Sequence, residues 1–394
     1  MNHFLRRQGW VSGLFALLIV LFIVTKLIQP GYGSGDFGSL ARAVLPYAFA
    51  VAAQTVVVIA GGIDLSVAAM MALTSVTAAS MMAGASEEYA LFVVPFVLAM
   101  GFVLGALNGL LIVVTRVPDI VVTLAMLFVL QGAALLVLGA PGGSAAEWLK
   151  AMISGTVPIP GLPDTIDAWL PKALLVLVIC LCVIWIPLRR SRLGLSIYAI
   201  GSSELAAFRS GVPVARTRVI AYALSGLFAA MGGLALTMST GIGAPIPGPY
   251  LLASVAAVVL GGVALGGGKG GLLGPIVAVF VLRLVRTDLT LLAIDPNVTA
   301  IIEGAIMVAV VMFGAFITMG GGNDRLASAR ASSFPLVGEG GLAKRGRMRG
   351  VPGNANASFC HTPLIRLGAA RQSTFSHKGR RQRSAAPPQS RATP

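Results

Sequence analysis

Charge is the scarcest commodity in this chain. Only 11% of its 394 residues are Asp, Glu, Lys or Arg, against about 25% in an ordinary soluble domain. With 56% hydrophobic residues, the chain cannot clothe a soluble surface of its size, so its main solvent is lipid. Histidine is almost absent. His3, His361 and His377 all lie near the chain ends, which leaves no imidazole at membrane depth for a proton relay. Cysteine is equally sparse: Cys180 and Cys182 fall in an apolar run and Cys360 near the C-terminus. That pattern offers no disulfide framework and no metal-ligand spacing. With no nucleophile–base pair either, a membrane enzyme is disfavoured, and neither a metal nor a cofactor is expected.

What charge there is falls unevenly. The formal net charge of +15 would suggest nucleic acid, but from Gly320 to Pro394 there are 13 basic and 2 acidic residues, a net of +11. The basicity is therefore mostly that of a tail rich in Arg, Ser, Gly, Ala and Pro, and no nucleic-acid partner is expected. Such composition cannot bury enough surface to offset its ordering entropy, so 320–394 reads as a basic disordered tail. Two roles remain for it: dispensable, which is favoured, or attracted to anionic lipid headgroups. Residues 1–319 read as the transmembrane domain. Arg6 and Arg7 before the apolar run Trp10–Val24 imitate a signal peptide, but Lys26-Leu-Ile-Gln-Pro30 follows instead of a cleavage site, which favours an uncleaved first span.

Ten apolar segments are long enough, or nearly so, to be spans: Trp10–Gln29, Leu40–Ala60, Leu65–Ala83, Ala90–Thr115, Ile120–Leu138, Pro171–Leu188, Val219–Thr240, Leu251–Val263, Leu272–Arg286 and Val298–Phe316. The fold class is an all-α, polytopic helical bundle. Arg116, Arg189, Arg190, Arg192, Arg209, Arg216, Arg218 and Lys269 fall in one set of loops. Asp36, Glu87, Glu88, Glu147, Asp164, Asp167, Asp288 and Asp295 fall in the other, with Lys150, Lys172 and Arg286. Basic loops stay inside, so both termini are expected in the cytoplasm. Gly139–Leu170 then forms an external cap, and Arg189–Arg218 the longest cytoplasmic stretch before the tail. The chain also carries a weak internal repeat, with Val58–Leu65 matching Val258–Leu265 and a looser pair at Arg116–Ile120 and Asp295–Val298. Two related halves are a common transporter design.

Two segments carry specific information. In Gly61-Gly-Ile-Asp-Leu-Ser66, paired glycines interrupt an apolar helix and Asp64 stands where a cap of the next span belongs. Two compatible roles fit Asp64: helix cap, or polar lining of a translocation path, since ionisable groups at membrane depth are usually functional. In Gly201-Ser-Ser-Glu-Leu-Ala-Ala-Phe-Arg-Ser-Gly-Val-Pro213, a serine can cap a short helix and Glu204 lies in its first turn. Arg209 lies in its last turn, Gly211 can adopt the left-handed C-cap, and Pro213 stops continuation. Leu205 and Phe208 share one face. The segment is a docking helix or, alternatively, a surface helix resting on headgroups.

With these residues in view the chain resembles the ribose-type sugar permeases of bacterial ABC importers over about Leu40–Phe316. The resemblance rests on Gly61–Val67, Leu107-Asn-Gly-Leu110, Val117-Pro-Asp-Ile-Val-Val-Thr-Leu124, Tyr198–Gly201 through Gly211, Ala256–Gly262 and Gly266-Gly-Gly-Lys-Gly270. It implies an inner-membrane, non-enzymatic transport subunit working with a second permease subunit, a partner ABC ATPase and a periplasmic sugar-binding protein. It further implies that the ATPase-coupling helix comprises Ser203, Glu204, Leu205, Ala207, Phe208, Arg209 and Gly211. Gly266–Gly270 is no phosphate loop, because Gly270 follows Lys269 where Ser or Thr is needed. Asp64, Ser66, Asn108, Thr123 and Gln131 are the candidates to line the sugar's path. For Asn108, Thr123 and Gln131 the plainer role is glue between helices, worth about 0.6 kcal/mol each. Glu303 and Arg283 are candidates to pair. Nucleosides or branched-chain amino acids are the alternative cargo, and an ion-coupled carrier the more distant class.

Overall fold

The computed structural model describes residues 2–158, 167–246, 248–306, 308, 309 and 312, with side chains from Trp10 onward. The basic tail expected from Gly320 lies outside them. The described residues are helical almost throughout: α1 Asn2–Ile28, α2 Ser34–Ile59, α3 Val67–Met82, α4 Ala90–Thr115, α5 Asp119–Val137, α6 Glu147–Ile153, α7 Lys172–Arg190, α8 Arg192–Ser202, α9 Glu204–Arg209, α10 Val214–Thr240, α11 Tyr250–Leu260, α12 Leu273–Leu291 and α13 over 296–306. Nine of the ten apolar segments fall on helices, and Val298–Phe316 is helical over 298–306, with most of its remainder outside the described residues. Six of these helices (α1, α2, α4, α5, α7 and α10) are long and apolar enough to cross a membrane by themselves. By contrast α3 and α11 rise only about 24 and 16 Å at 1.5 Å per residue, short of a hydrocarbon core of about 30 Å. They are helices interrupted by glycine turns.

Burial sorts the bundle into layers. From Leu40 to Ile59 nearly every residue of α2 is buried, as a helix apolar on all sides requires when it lies at the centre. Helix α10 is the second central element and sits between α3 and α4. It makes both contacts through glycine. A Cβ at Gly226 would overlap the Gly101 carbonyl of α4 and lie 2.9 Å from Gly105 Cα, while a Cβ at Gly233 would overlap Thr74 Oγ1 and lie 2.5 Å from Met71 O on α3. The facing residues of α4 are Gly101, Gly105 and Gly109, four apart, so a small-residue stripe lets the backbones meet. Ser75 and Thr237 then share a buried hydrogen bond of 2.8 Å between α3 and α10. Helices α1, α4, α5 and α7 are peripheral and turn large apolar side chains outward, among them Ile19, Leu91, Phe128, Leu136 and Val183, the face expected toward acyl chains.

The internal repeat is real in the backbone, but its register differs by one residue from the sequence match. At the end of α2, Gly61 N–H donates to Val58 O and Gly62 N–H to Val57 O. At the end of α11, Gly262 N–H donates to Val259 O and Val263 N–H to Val258 O. Both are Schellman motifs with a left-handed glycine, Gly61 (φ +89°) and Gly262 (φ +79°). Gly61 therefore corresponds to Gly262, not to Gly261. The extra glycine of the first turn, Gly62, is needed for space: a Cβ there would lie 2.6 Å from the Tyr222 hydroxyl and overlap Asp119 Oδ2. The equivalent carbonyls Ile59 O and Leu260 O accept from different donors, Gly268 N–H at 2.9 Å and the Trp10 indole N–H at 2.7 Å.

Two expected loops contain more helix than the sequence suggests. Between Gly139 and Leu170 lies α6, whose amide at Glu147 binds Glu87 Oε2 at 2.8 Å. Arg189–Arg218 is nearly all helical, because α8 precedes the expected short helix. Its Gly194, Ile197 and Ile200 are buried, and Ser191 caps it by accepting from Gly194 N–H at 3.1 Å.

Candidate functional site

Three groups of residues bear on function. The first is α9. Ser203 accepts from Ala206 N–H at 3.3 Å, satisfying one of the orphan amides of the first turn. Glu204 pairs with Arg218 of α10 at 2.8 Å, so the helix is tied to the central element behind it. Its C-terminus closes in a Schellman motif: Gly211 (φ +80°) donates to Phe208 O and Val212 N–H to Ala207 O. Ala207 faces inward and is buried, whereas Leu205 is 59% and Phe208 69% exposed. Arg209 is exposed in the last turn. A helix pinned at three points that presents two large apolar side chains outward has the form of a docking element. It lies at the end of the bundle that carries Arg116, Arg189, Arg190, Arg192, Arg216, Arg218 and Lys269.

The second group is a buried polar network opening α3. Asp64 Oδ1 accepts from the Ser66 amide at 2.9 Å and from the Ser66 hydroxyl at 2.6 Å. Asp64 Oδ2 accepts from Ser225 of α10 at 3.0 Å, and Asn108 of α4 donates to Ser66 Oγ at 2.8 Å. Asp64, Ser66, Asn108 and Ser225 have no exposed surface. The N-cap of α3 is Ser66, not Asp64 as expected, and makes no side-chain cap bond; the Asp64 bond to the amide two residues on closes an Asx turn just ahead of the helix, and the same carboxylate ties this turn to α10. Beside it, Thr123 Oγ1 of α5 approaches Ile63 O at 3.3 Å, and Tyr222 donates to Asp119 at 2.8 Å. Gln131, two turns further along α5, is half-buried and stands apart from the network. Sequence reasoning missed Ser225, Tyr222 and Gln54. The last is fully buried in α2, and neither of its amide atoms has a hydrogen-bond partner; Asn108 Oδ1 is in the same position. The signal was present at Gln54, a lone amide in an otherwise apolar span.

The network makes a stability prediction. Asp64→Leu leaves the Ser66 amide, the Ser66 hydroxyl and the Ser225 hydroxyl without their acceptor. At about 1–3 kcal/mol for each buried donor left unpaired, the expected loss is about 3 kcal/mol or more. Asp64→Asn keeps one oxygen for Ser66 and loses less. Thermal unfolding of the purified protein in detergent checks the order wild type, Asn, Leu.

The third group lines a small cavity between α2, α11, α12 and α13. Its walls include Tyr47, Pro249, Arg283, Arg286 and Glu303. The Arg283 guanidinium lies 4.9 Å from the Tyr47 ring centroid, and Tyr47 meets Tyr250 with centroids 4.4 Å apart. Glu303 pairs at 3.3 Å with Arg286, not with Arg283 as expected. Arg283 and Arg286 are one helical turn apart, and Arg283 is drawn instead onto the aromatic face. The start of α13 is well defined: Asp295 accepts from Asn297 N–H at 2.7 Å and Pro296 occupies the first helical position. Among the described residues no set of three His, Cys, Asp or Glu side chains is placed to hold a metal ion.

Comparison with known proteins agrees with this arrangement. Ribose import permease protein RbsC of Escherichia coli (strain K12) is 30% identical over 309 residues, covering 77% of this chain and 94% of the relative. Autoinducer 2 import system permease protein LsrD of Escherichia coli O9:H4 (strain HS) is 28% identical over 316 residues, covering 78% and 92%. No solved structure matches significantly. The family model described as branched-chain amino acid transport system / permease component matches residues 37–311. That span takes in the glycine turns, the buried network and α9, and so bears out the resemblance carried by the motifs. The chain is a multi-pass membrane protein belonging to the family of branched-chain amino acid transport system permease components.

Proposed function

We propose that this protein is the permease subunit of an ABC importer and forms the translocation path for a pentose- or hexose-class sugar. The observation that carries the reading is α9, a capped helix showing Leu205 and Phe208 at the basic end of the bundle. Such a feature suits the binding of a soluble partner. That partner is an ABC ATPase, which supplies the energy; this chain hydrolyses nothing. The import permeases RbsC and LsrD, similar over most of their length, support the sugar class. The basic end faces the cytoplasm, which places both termini there, and a periplasmic binding protein delivers the sugar at the opposite end. A second permease subunit completes the path, and Asp64, Ser66, Asn108, Thr123, Gln131 and Gln54 are its candidate polar lining. Unused acceptor and donor capacity at Gln54 and Asn108 suits weak, successive contacts with hydroxyl groups.

The family description also names branched-chain amino acids, so the cargo is decided by competition. In vesicles containing the permease with its ATPase and binding protein, ATP-dependent uptake of labelled ribose is the expected result. It should be competed by pentoses and hexoses and be indifferent to leucine. Uptake of leucine and none of ribose would reassign the cargo, and uptake without ATP would overturn the importer class.

A further inference from the structure

The end of α8 is clamped between the first glycine turn of the repeat and the glycine-rich loop that follows the second, Gly266–Gly271. Gly201 occupies a space with no room for a side chain: a Cβ would overlap Ile59 O and lie 2.6 Å from Gly268 N. From that loop, Gly267 (φ +80°) approaches so closely that a Cβ would lie 2.7 Å from Gly201 O and 2.9 Å from the Cα atoms of both Gly201 and Gly61. Gly268 packs in the same way on Ser202, where an added Cβ would lie 2.7 Å from its N and Cα. The contact is held by hydrogen bonds, from Gly268 N–H to Ile59 O at 2.9 Å and from the Tyr198 hydroxyl to Gly270 O at 2.9 Å. Three backbone segments distant in sequence therefore meet at Gly61, Gly201 and Gly267 with nothing compressible between them. Side-chain contacts yield by changing rotamer, whereas backbone against backbone does not.

Position gives this junction its meaning. Only Ser202 and Ser203 separate Gly201 from α9. On the other side, the turn at Gly61 leads within three residues to Asp64 and the start of α3, and the turn at Gly267 leads to α12. We propose that Gly61, Gly201 and Gly267 are positioning residues for transport coupling: they form a rigid joint that passes a displacement of α9 to α3 and α12 together. This rests on the reading of α9 as the ATPase docking helix and deepens it.

The test uses the complete complex of permease, ATPase and binding protein in vesicles, with ATP hydrolysed per sugar imported as the readout. A merely structural role would lower assembly, hydrolysis and uptake in parallel and leave that ratio unchanged. Gly201→Ala forces the segments apart, and a strain of overpacking size shifts a two-state element about tenfold or more. The ratio is expected to rise by about that factor, with assembled complex and basal hydrolysis retained. Should Gly201→Ala fail to assemble, Tyr198→Phe decides, since it removes the bond to Gly270 O without adding volume; a rise of about threefold is expected. Gly13→Ala, with nothing within 4 Å of the added atom, serves as the control. An unchanged ratio in an assembled Gly201→Ala complex, or in Tyr198→Phe where that decides, overturns the proposal. Wild-type vesicles lacking ATP-driven uptake would instead overturn the reading on which it rests.

Discussion

Glu204→Arg combined with Phe208→Asp should abolish co-purification of the partner ATPase while leaving the permease folded. Phe208 is the largest exposed apolar group on α9, and aromatic anchors in soluble interfaces typically cost about 2 kcal/mol or more on truncation, roughly thirtyfold in affinity. Aspartate goes further than truncation, because it places an unpaired charge where the partner must exclude water. Arginine at 204 sets two like charges against each other at Arg218 and loosens the tie to α10. Neither side chain is buried, so the cost to the permease's own stability should stay within about 0.5 kcal/mol. Affinity purification of the tagged permease from a strain expressing both subunits measures the effect, and thermal unfolding in detergent supplies the control. Leu205→Ala should weaken binding less. Undiminished recovery of the ATPase with the double variant would remove α9 from the interface, leaving the headgroup-resting helix as its reading.

How much of this was legible in the sequence depends on the range of the interaction. Helix α9 was readable apart from which of Ser202 and Ser203 caps it, since its serine cap, Gly211 and Pro213 act within one or two turns and all agree. At the head of α3 the N-cap is Ser66, so only a local turn-closing bond was legible for Asp64. Its bond to Ser225 was not, because 161 positions separate the two and only the packing of α10 on α3 and α4 brings them together. The repeat was visible, but two glycines stand side by side in both copies and sequence matching cannot tell which one takes the left-handed conformation. In the first turn the second glycine is reserved for the close approach of Tyr222, and that moves the register by one. Helix α8 was hidden by its basic flank, which reads as loop although Ile197 and Ile200 share a buried face. The choice of Arg286 over Arg283 as the partner of Glu303 depended on where Tyr47 lies, a tertiary fact.

Gly105→Val should be the most damaging single substitution in the membrane core. At this position α4 and α10 are in backbone contact: an added Cβ would overlap Tyr222 O and lie 2.9 Å from Gly226 N and 3.0 Å from Gly226 Cα. None of those atoms belongs to a side chain that can turn away, so the helices must separate. Separation strips dispersion contacts along the whole stripe from Gly101 to Gly109, and in lipid no hydrophobic driving force between helices compensates. It also pulls Ser225 from Asp64 and Tyr222 from Asp119, because all four lie on or beside this seam. Overpacking alone costs about 1–3 kcal/mol, and each buried donor left without its acceptor adds about 1–3 kcal/mol. The sum is a large share of the roughly 5–15 kcal/mol that holds a typical domain folded. The expected result is loss of most of the monodisperse protein on size-exclusion chromatography, with a lowered unfolding temperature in whatever survives. Gly132→Val on α5, where an added Cβ meets nothing within 4 Å, should be close to wild type. Comparable yield and stability for the two variants would show that the α4–α10 seam does not require glycine and that the polar network alone holds the centre of the bundle.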